Sequence, residues 1–175
     1  MRALKLLVTF TLLTSIFCAR ADALQDGLDA MNRKDYPMAL RTLEPLAAGG
    51  NAVAQFRLGL LHYHGHGVRE SDDMAFKWFE RAARQGLADA QYHLGNMYAY
   101  GLAKPPQGND ASRLAAQWIF EAARQGHAEA QYSLGVLFVT GTGVVQSRDQ
   151  ARIWFRRAAA QGHADANTYL QIEGK

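Results

Sequence analysis

The sequence is poor in the residues that staple small domains or run covalent chemistry. Of its 175 residues, one is cysteine (Cys18) and four are proline. A single thiol excludes a disulfide framework, so stability has to come from packing. With 49% apolar residues and so little proline, the chain is also excluded from the disordered polymers. No Gly-x-Ser-x-Gly, Ser-x-x-Lys, His-Glu-x-x-His or phosphate loop is present, so the recognisable hydrolase, metalloprotease and nucleotide-binding arrangements are missing. The adjacent pair Asp72-Asp73 points two ways from one helix start, where it favours the helix dipole instead of forming an acid/base pair. No residue set calls for a cofactor, and the reading is non-enzymatic.

Charge is balanced once its placement is considered. Arg2 and Lys5 precede Leu6 to Cys18, a thirteen-residue run without charge, and Ala19-Arg20-Ala21 places small residues two apart before Asp22. This pattern is that of a secretory leader, residues 1–21, cut after Ala21. A retained anchor is a rival reading, but the run is short for a membrane span. Lipidation of Cys18 is another, but Phe17 stands where a small residue is usual. The expected location is periplasmic or secreted, with no stable membrane insertion after cleavage. Removing residues 1–21 takes three of the 19 basic residues and no acid, which leaves 154 residues with 16 charges of each sign. Such a chain lacks the counterion-release drive toward nucleic acid, and no block of like charge restores it.

What is abundant is self-similarity. Residues 51–86, 87–126 and 127–162 superimpose, and the middle unit is four residues longer in its Ala103 to Asp110 turn. Ala54-Gln55-Phe56-Arg57-Leu58-Gly59 returns as Ala90-Gln91-Tyr92-His93-Leu94-Gly95 and as Ala130-Gln131-Tyr132-Ser133-Leu134-Gly135. Trp78, Trp118 and Trp154 recur, each followed by an alanine pair, and Gly86, Gly126 and Gly162 close the units. The apolar spacing predicts two antiparallel helices per unit. Ser147 with Gln150 forms a capping box, and Ser71 or Asp72 and Asn109 or Asp110 are cap candidates elsewhere. Gly59, Gly95 and Gly135 lie inside helices at a cost of about 1 kcal/mol each, which implies that the backbone of a neighbouring helix passes too close for a side chain. Residues 22–50 form a degenerate opening hairpin whose second helix starts near Pro37 and is kinked or ended by Pro45. Residues 163–175 form a terminal capping helix. The tryptophan column reads as core, since it repeats with the alanines.

Ala-x-x-x-Leu-Gly, an aromatic, Gly-x-Gly-Val, Ala-x-x-Trp and Ala-Ala-x-x-Gly together resemble the Sel1-like repeat, a relative of the tetratricopeptide repeat. Gly65-His66-Gly67-Val68 and Gly141-Thr142-Gly143-Val144 fit its turn, whereas Gly101-Leu102-Ala103-Lys104 departs from it. The resemblance implies an all-α fold, an α/α solenoid of antiparallel hairpins with a concave face made by first helices. It also implies an adaptor, scaffold or regulator acting on another protein, here one of the periplasm or envelope. The penicillin-linked activity of cysteine-rich relatives does not carry over, because their paired cysteines are missing.

At about 100° per residue, positions one, five, eight and twelve of each first helix fall on one stripe opposite the packing face. They read Val53, Arg57, Leu60, His64; Asp89, His93, Asn96, Tyr100; and Glu129, Ser133, Val136, Thr140, with Asp165, Tyr169 and Ile172 on the terminal helix. These positions differ between units while the packing positions repeat, which marks the candidate partner-binding residues. The alternative function is metal or small-molecule binding by His62, His64 and His66. Register weighs against it, since His62 fills the aromatic slot of Tyr98 and Phe138, and no cysteine completes a ligand set. The insertion Lys104 to Gly108 reads as a stiff wall of a binding site or as a tolerated surface loop. The sequence leaves the oligomeric state open.

Overall fold

The computed structural model describes residues 22–173, so the leader and its cleavage point lie outside the described residues. The described residues hold nine helices and no strand. None of these helices is long and apolar enough to cross a membrane. The chain forms two compact units, divided after Ser71.

The first unit contains α1 (22–32), α2 (Tyr36–Ala48) and α3 (Ala52–His64). Asp35 caps α2 by accepting from the Met38 amide at 3.2 Å, and Pro37 sits in the first turn, where no amide donor is needed. Pro45 does not end α2, which runs on to Ala48. The proline lies on the exposed side, so its lost donor falls there, while buried Leu43 and Ala47 carry the helix past it. Asn51 caps α3 through the Ala54 amide at 2.9 Å, and Gly65 closes it in the left-handed conformation. The turn after α3 folds back on α2: a β-carbon on Gly67 would stand 2.6 Å from that of Tyr36.

The second unit contains α4 (Asp72–Arg84), α5 (Ala88–Ala99), α6 (Ala111–Arg124), α7 (Ala128–Thr140), α8 (Arg148–Ala160) and α9 (Ala164–Glu173). Within the unit, successive helices from α4 to α9 pack on one another. Asp110 caps α6 by accepting from the Ser112 amide at 2.7 Å, and Ser147 caps α8 through the Gln150 amide at 3.3 Å. Ala122, Ala123, Leu134, Phe155 and Ala158 are almost fully buried, and Ala166 of α9 completes this core. The tryptophan column, expected as core, is so only in part. Trp154 is buried, Trp78 and Trp118 are half-buried, and the Arg81 and Arg157 guanidinium groups lie 4.7 and 4.4 Å from the centroids of Trp78 and Trp154.

A polar spine runs through the second unit. Gln91 and Gln131 are buried, and each donates Nε2 to a carbonyl of the preceding helix, Ala83 at 3.2 Å and Ala123 at 3.1 Å. Their Oε1 atoms accept from Gln125 at 2.7 Å and Gln161 at 2.8 Å. A buried amide is tolerable because both ends are satisfied. In the first unit, Gln55 donates to the Ala47 carbonyl at 3.0 Å in the same manner. Replacing Gln131 with leucine removes two bonds at a cost of about 1 kcal/mol each. Chemical denaturation is expected to show a loss of about 2 kcal/mol for this variant, with the slope unchanged.

Candidate functional site

The stripe residues of the first unit fall into two environments. Arg57 is half-buried with its guanidinium 5.5 Å from the Phe56 ring centroid, and among the described residues its buried Nε has no hydrogen-bond partner. Val53 and Leu60 are half-buried, while His64 is exposed and meets Tyr63 edge-on.

In the second unit, α5, α7 and α9 are tied to one another at their starts. His127 Nδ1 accepts from the Ala130 amide at 3.1 Å, which caps α7. That bond leaves Nε2 to carry the proton toward Asp89, 3.4 Å away. The imidazole also lies against Tyr92, with centroids 4.8 Å apart. The arrangement returns one repeat later. His163 Nδ1 accepts from the Ala166 amide at 3.4 Å, its Nε2 meets Glu129 at 3.1 Å, and its ring stacks on Tyr132 at 4.3 Å. Asp89 and Glu129 thus couple one repeat to the next, although both carboxylates keep more than half of their side-chain surface exposed.

The rest of the stripe grades from packed to open. His93 is half-buried and stacks on Phe79 at 5.1 Å, so it supports the fold as well as lining the face. Asn96 and Ser133 are half-buried, and Val136 is exposed. Thr140 is exposed and joins Thr142 hydroxyl to hydroxyl at 2.8 Å. Tyr100, the C-cap of α5, is 76% exposed, and Ile172 is 69% exposed. Tyr169 is half-buried, 4.1 Å from Phe155 between centroids, and donates to Glu173 at 2.9 Å. Asp165 is exposed.

Of the three histidines of the alternative reading, the His64 and His66 rings lie 5.4 Å apart between centroids. His62 is half-buried with Nδ1 inside, and His66 stacks on Tyr36 at 4.6 Å. Among the described residues, no three His, Cys, Asp or Glu side chains gather as a metal-holding group. Burial holds the His62 imidazole below its ordinary 6.5, against the opposing pull of Glu44. The unfolded chain therefore takes up this proton first, and stability is lost as pH falls through 6.5. A melting series from pH 7 to pH 5.5 is expected to decline less steeply in His62→Phe than in the parent.

Sequence reasoning did not find the glutamine spine or the carboxylate–histidine–tyrosine ties. Signals for both were present: Gln55, Gln91 and Gln131 recur at one position, and His127 and His163 each follow a unit-closing glycine.

Comparison with known proteins agrees with this geometry. The Sel1 repeat family model matches residues 52–87, 88–127 and 128–163. A Sel1 repeat protein of Oxalobacter formigenes superimposes with a TM-score of 0.74 at 34% identity, over 82% of this chain and 57% of that one. A protective antigen of uropathogenic Escherichia coli with an SLR fold gives 0.79 at 30% identity, over 86% of this chain and 32% of that one. Helicobacter pylori cysteine rich protein B shares the fold at a TM-score of 0.53 and 19% identity, covering 82% and 94% of the two chains. Protein sel-1 homolog 2 of Rattus norvegicus and of Homo sapiens is 37% identical over 70 residues, which is 39% of this chain and 10% of theirs. The fold class is the α/α solenoid of helix hairpins. From three contiguous repeats that match in sequence and in helical arrangement, it follows that the chain belongs to the Sel1 repeat family.

Proposed function

We propose that this chain is an exported, non-enzymatic protein–protein interaction module of the bacterial envelope, an adaptor or restraining regulator that holds its partner on the outward face of its first helices. The observation that carries the reading is the division of labour along α5 and α7. Ala90, Leu94 and Gly95 recur as Ala130, Leu134 and Gly135, and all six are buried. Tyr100 gives way to Thr140, and both are exposed. Packing constrains the first set and leaves the second free to fit a partner. Sel1 repeats favour a protein partner. The charge balance beyond residue 21 disfavours nucleic acid, and the leader pattern supports export to the periplasm.

The test is photocrosslinking in cells that express the full chain with benzoylphenylalanine at Tyr100, Thr140 or Lys77. A discrete adduct from Tyr100 and Thr140 but not from Lys77 of α4, on a periplasmic protein beginning at Asp22, is the expected result. Equal adducts from Lys77, or a chain retained in the cytoplasm with its leader intact, would refute the proposal.

A further inference from the structure

A second surface lies away from the outward stripe of the first helices. Arg113, Ala116 and Phe120 of α6, Leu134 and Phe138 of α7, and Val144 of the following turn line a hollow of about 330 Å³. A second hollow of about 340 Å³ lies on the other side of Arg113 and Val144, reaching Val145, which is 87% exposed. The two share Arg113, Gly143 and Val144 as a wall; the first has an apolar floor, and the second is more polar and includes Asp110. Among the described residues Arg113 makes no ion pair. The neighbouring Asp110 already accepts from the Ser112 and Arg113 amides at 2.7 and 3.4 Å.

The repeat register shows other residues at these positions in the flanking repeats, although Phe120 here also meets Trp154 edge-on at 5.9 Å between centroids. Five positions before the repeated tryptophan stand Asp73, Arg113 and Asp149, and two positions after it stand Glu80, Phe120 and Arg156. Asp73 and Asp149 lie in the first turns of α4 and α8, where an acid favours the helix dipole, whereas the first turn of α6 holds no acid. The middle repeat has exchanged a helix-stabilising acid for an opposing cation, and a charged residue, half-buried in Glu80 and exposed in Arg156, for an aromatic ring 38% exposed. A large exposed ring beside a cation without a counter-ion suits a ligand that brings both an apolar side chain and an anion.

The geometry points to a peptide-docking groove for an extended segment of a partner protein that carries a large apolar side chain within two residues of an Asp or Glu. The apolar side chain seats on Phe120 and Phe138, and the carboxylate pairs with the Arg113 guanidinium. This site goes beyond the first-helix face and stands or falls independently of it.

The test is selection of a random heptapeptide phage library on the full chain, followed by fluorescence polarisation with a synthetic copy of the enriched peptide. Enrichment of an aromatic or leucine close to Asp or Glu is expected. Binding should weaken at least tenfold for Arg113→Asp, which installs the residue of the flanking repeats, and be largely kept by Arg113→Lys, with melting unchanged by Arg113→Lys and slightly raised by Arg113→Asp, whose acid favours the helix dipole. Phe120→Glu, the residue of the preceding repeat, should weaken binding as well. Several results would overturn the proposal: no enrichment, enriched peptides without a carboxylate, equal affinity for Arg113→Asp, or a concentration-dependent dimer of the free chain that Arg113→Asp abolishes.

Discussion

Replacing Phe155 with alanine is expected to lower stability by about 4 kcal/mol and the melting midpoint by roughly 12 °C. Phe155 is 1% exposed, and its ring lies between Tyr132 and Tyr169, at 5.6 and 4.1 Å between centroids. Its removal opens a cavity where α7, α8 and α9 meet, and those rings cannot collapse into it without abandoning His163 and Glu173. A double-mutant cycle sharpens the argument. A β-carbon on Gly135 would stand 2.6 Å from the Phe155 ring, so Gly135→Ala alone should be destabilising. In the Phe155→Ala background the clash is gone. The same substitution should then stabilise by up to about 1 kcal/mol through helix propensity, a reversal of sign that urea titration reads directly.

Gly95→Val is expected to cost about 3 kcal/mol, at the upper end of ordinary overpacking. The β-carbon would stand 2.7 Å from Ile119 Cγ1, 3.1 Å from the Ala115 carbonyl oxygen and 3.2 Å from the Ile119 amide nitrogen. Two of these three neighbours are backbone, so α6 itself would have to retreat from α5. Trimming the side chain does not help: Gly95→Val with Ile119→Ala should remain at least as unstable as Gly95→Val alone. The contrast with Gly135, whose obstacle is a single ring, separates helix-to-helix contact from side-chain contact. Thermal melting of the four proteins checks it.

The helices were legible because their signals are local. The backbone approach at Gly95 followed from a glycine that returns inside helices, where each costs about 1 kcal/mol, but at Gly135 the neighbour is the Phe155 ring and not a backbone. The left-handed conformation at Gly126 and Gly162, with φ of +93° and +88°, followed from their place at helix ends. Pro45 does not end α2 as the sequence allows, because a proline on an exposed face near a helix end removes one bond without dislodging a helix held by Leu43 and Ala47. The outward positions were legible from the 100° wheel, but their partners were not. Asp89 meets His127 thirty-eight residues on, and Glu129 meets His163 thirty-four on, and neither separation has a periodicity within one helix. His93 carried no mark of its stack on Phe79, a contact set by how α4 packs on α5. The groove around Arg113 is hidden for the opposite reason: its signal is a break in the repeat and not a recurrence.

A partner protein held on the outward face of the first helices must shield that face from solvent. Hydrogen–deuterium exchange of the chain, alone and bound to the protein captured by crosslinking, reads this shielding. New protection is expected at the ends of α5 and α7, around Asn96 to Tyr100 and Val136 to Thr140, with α4 and α8 unchanged. Protection confined to α4 and α8, with α5 and α7 exchanging as in the free chain, would contradict it.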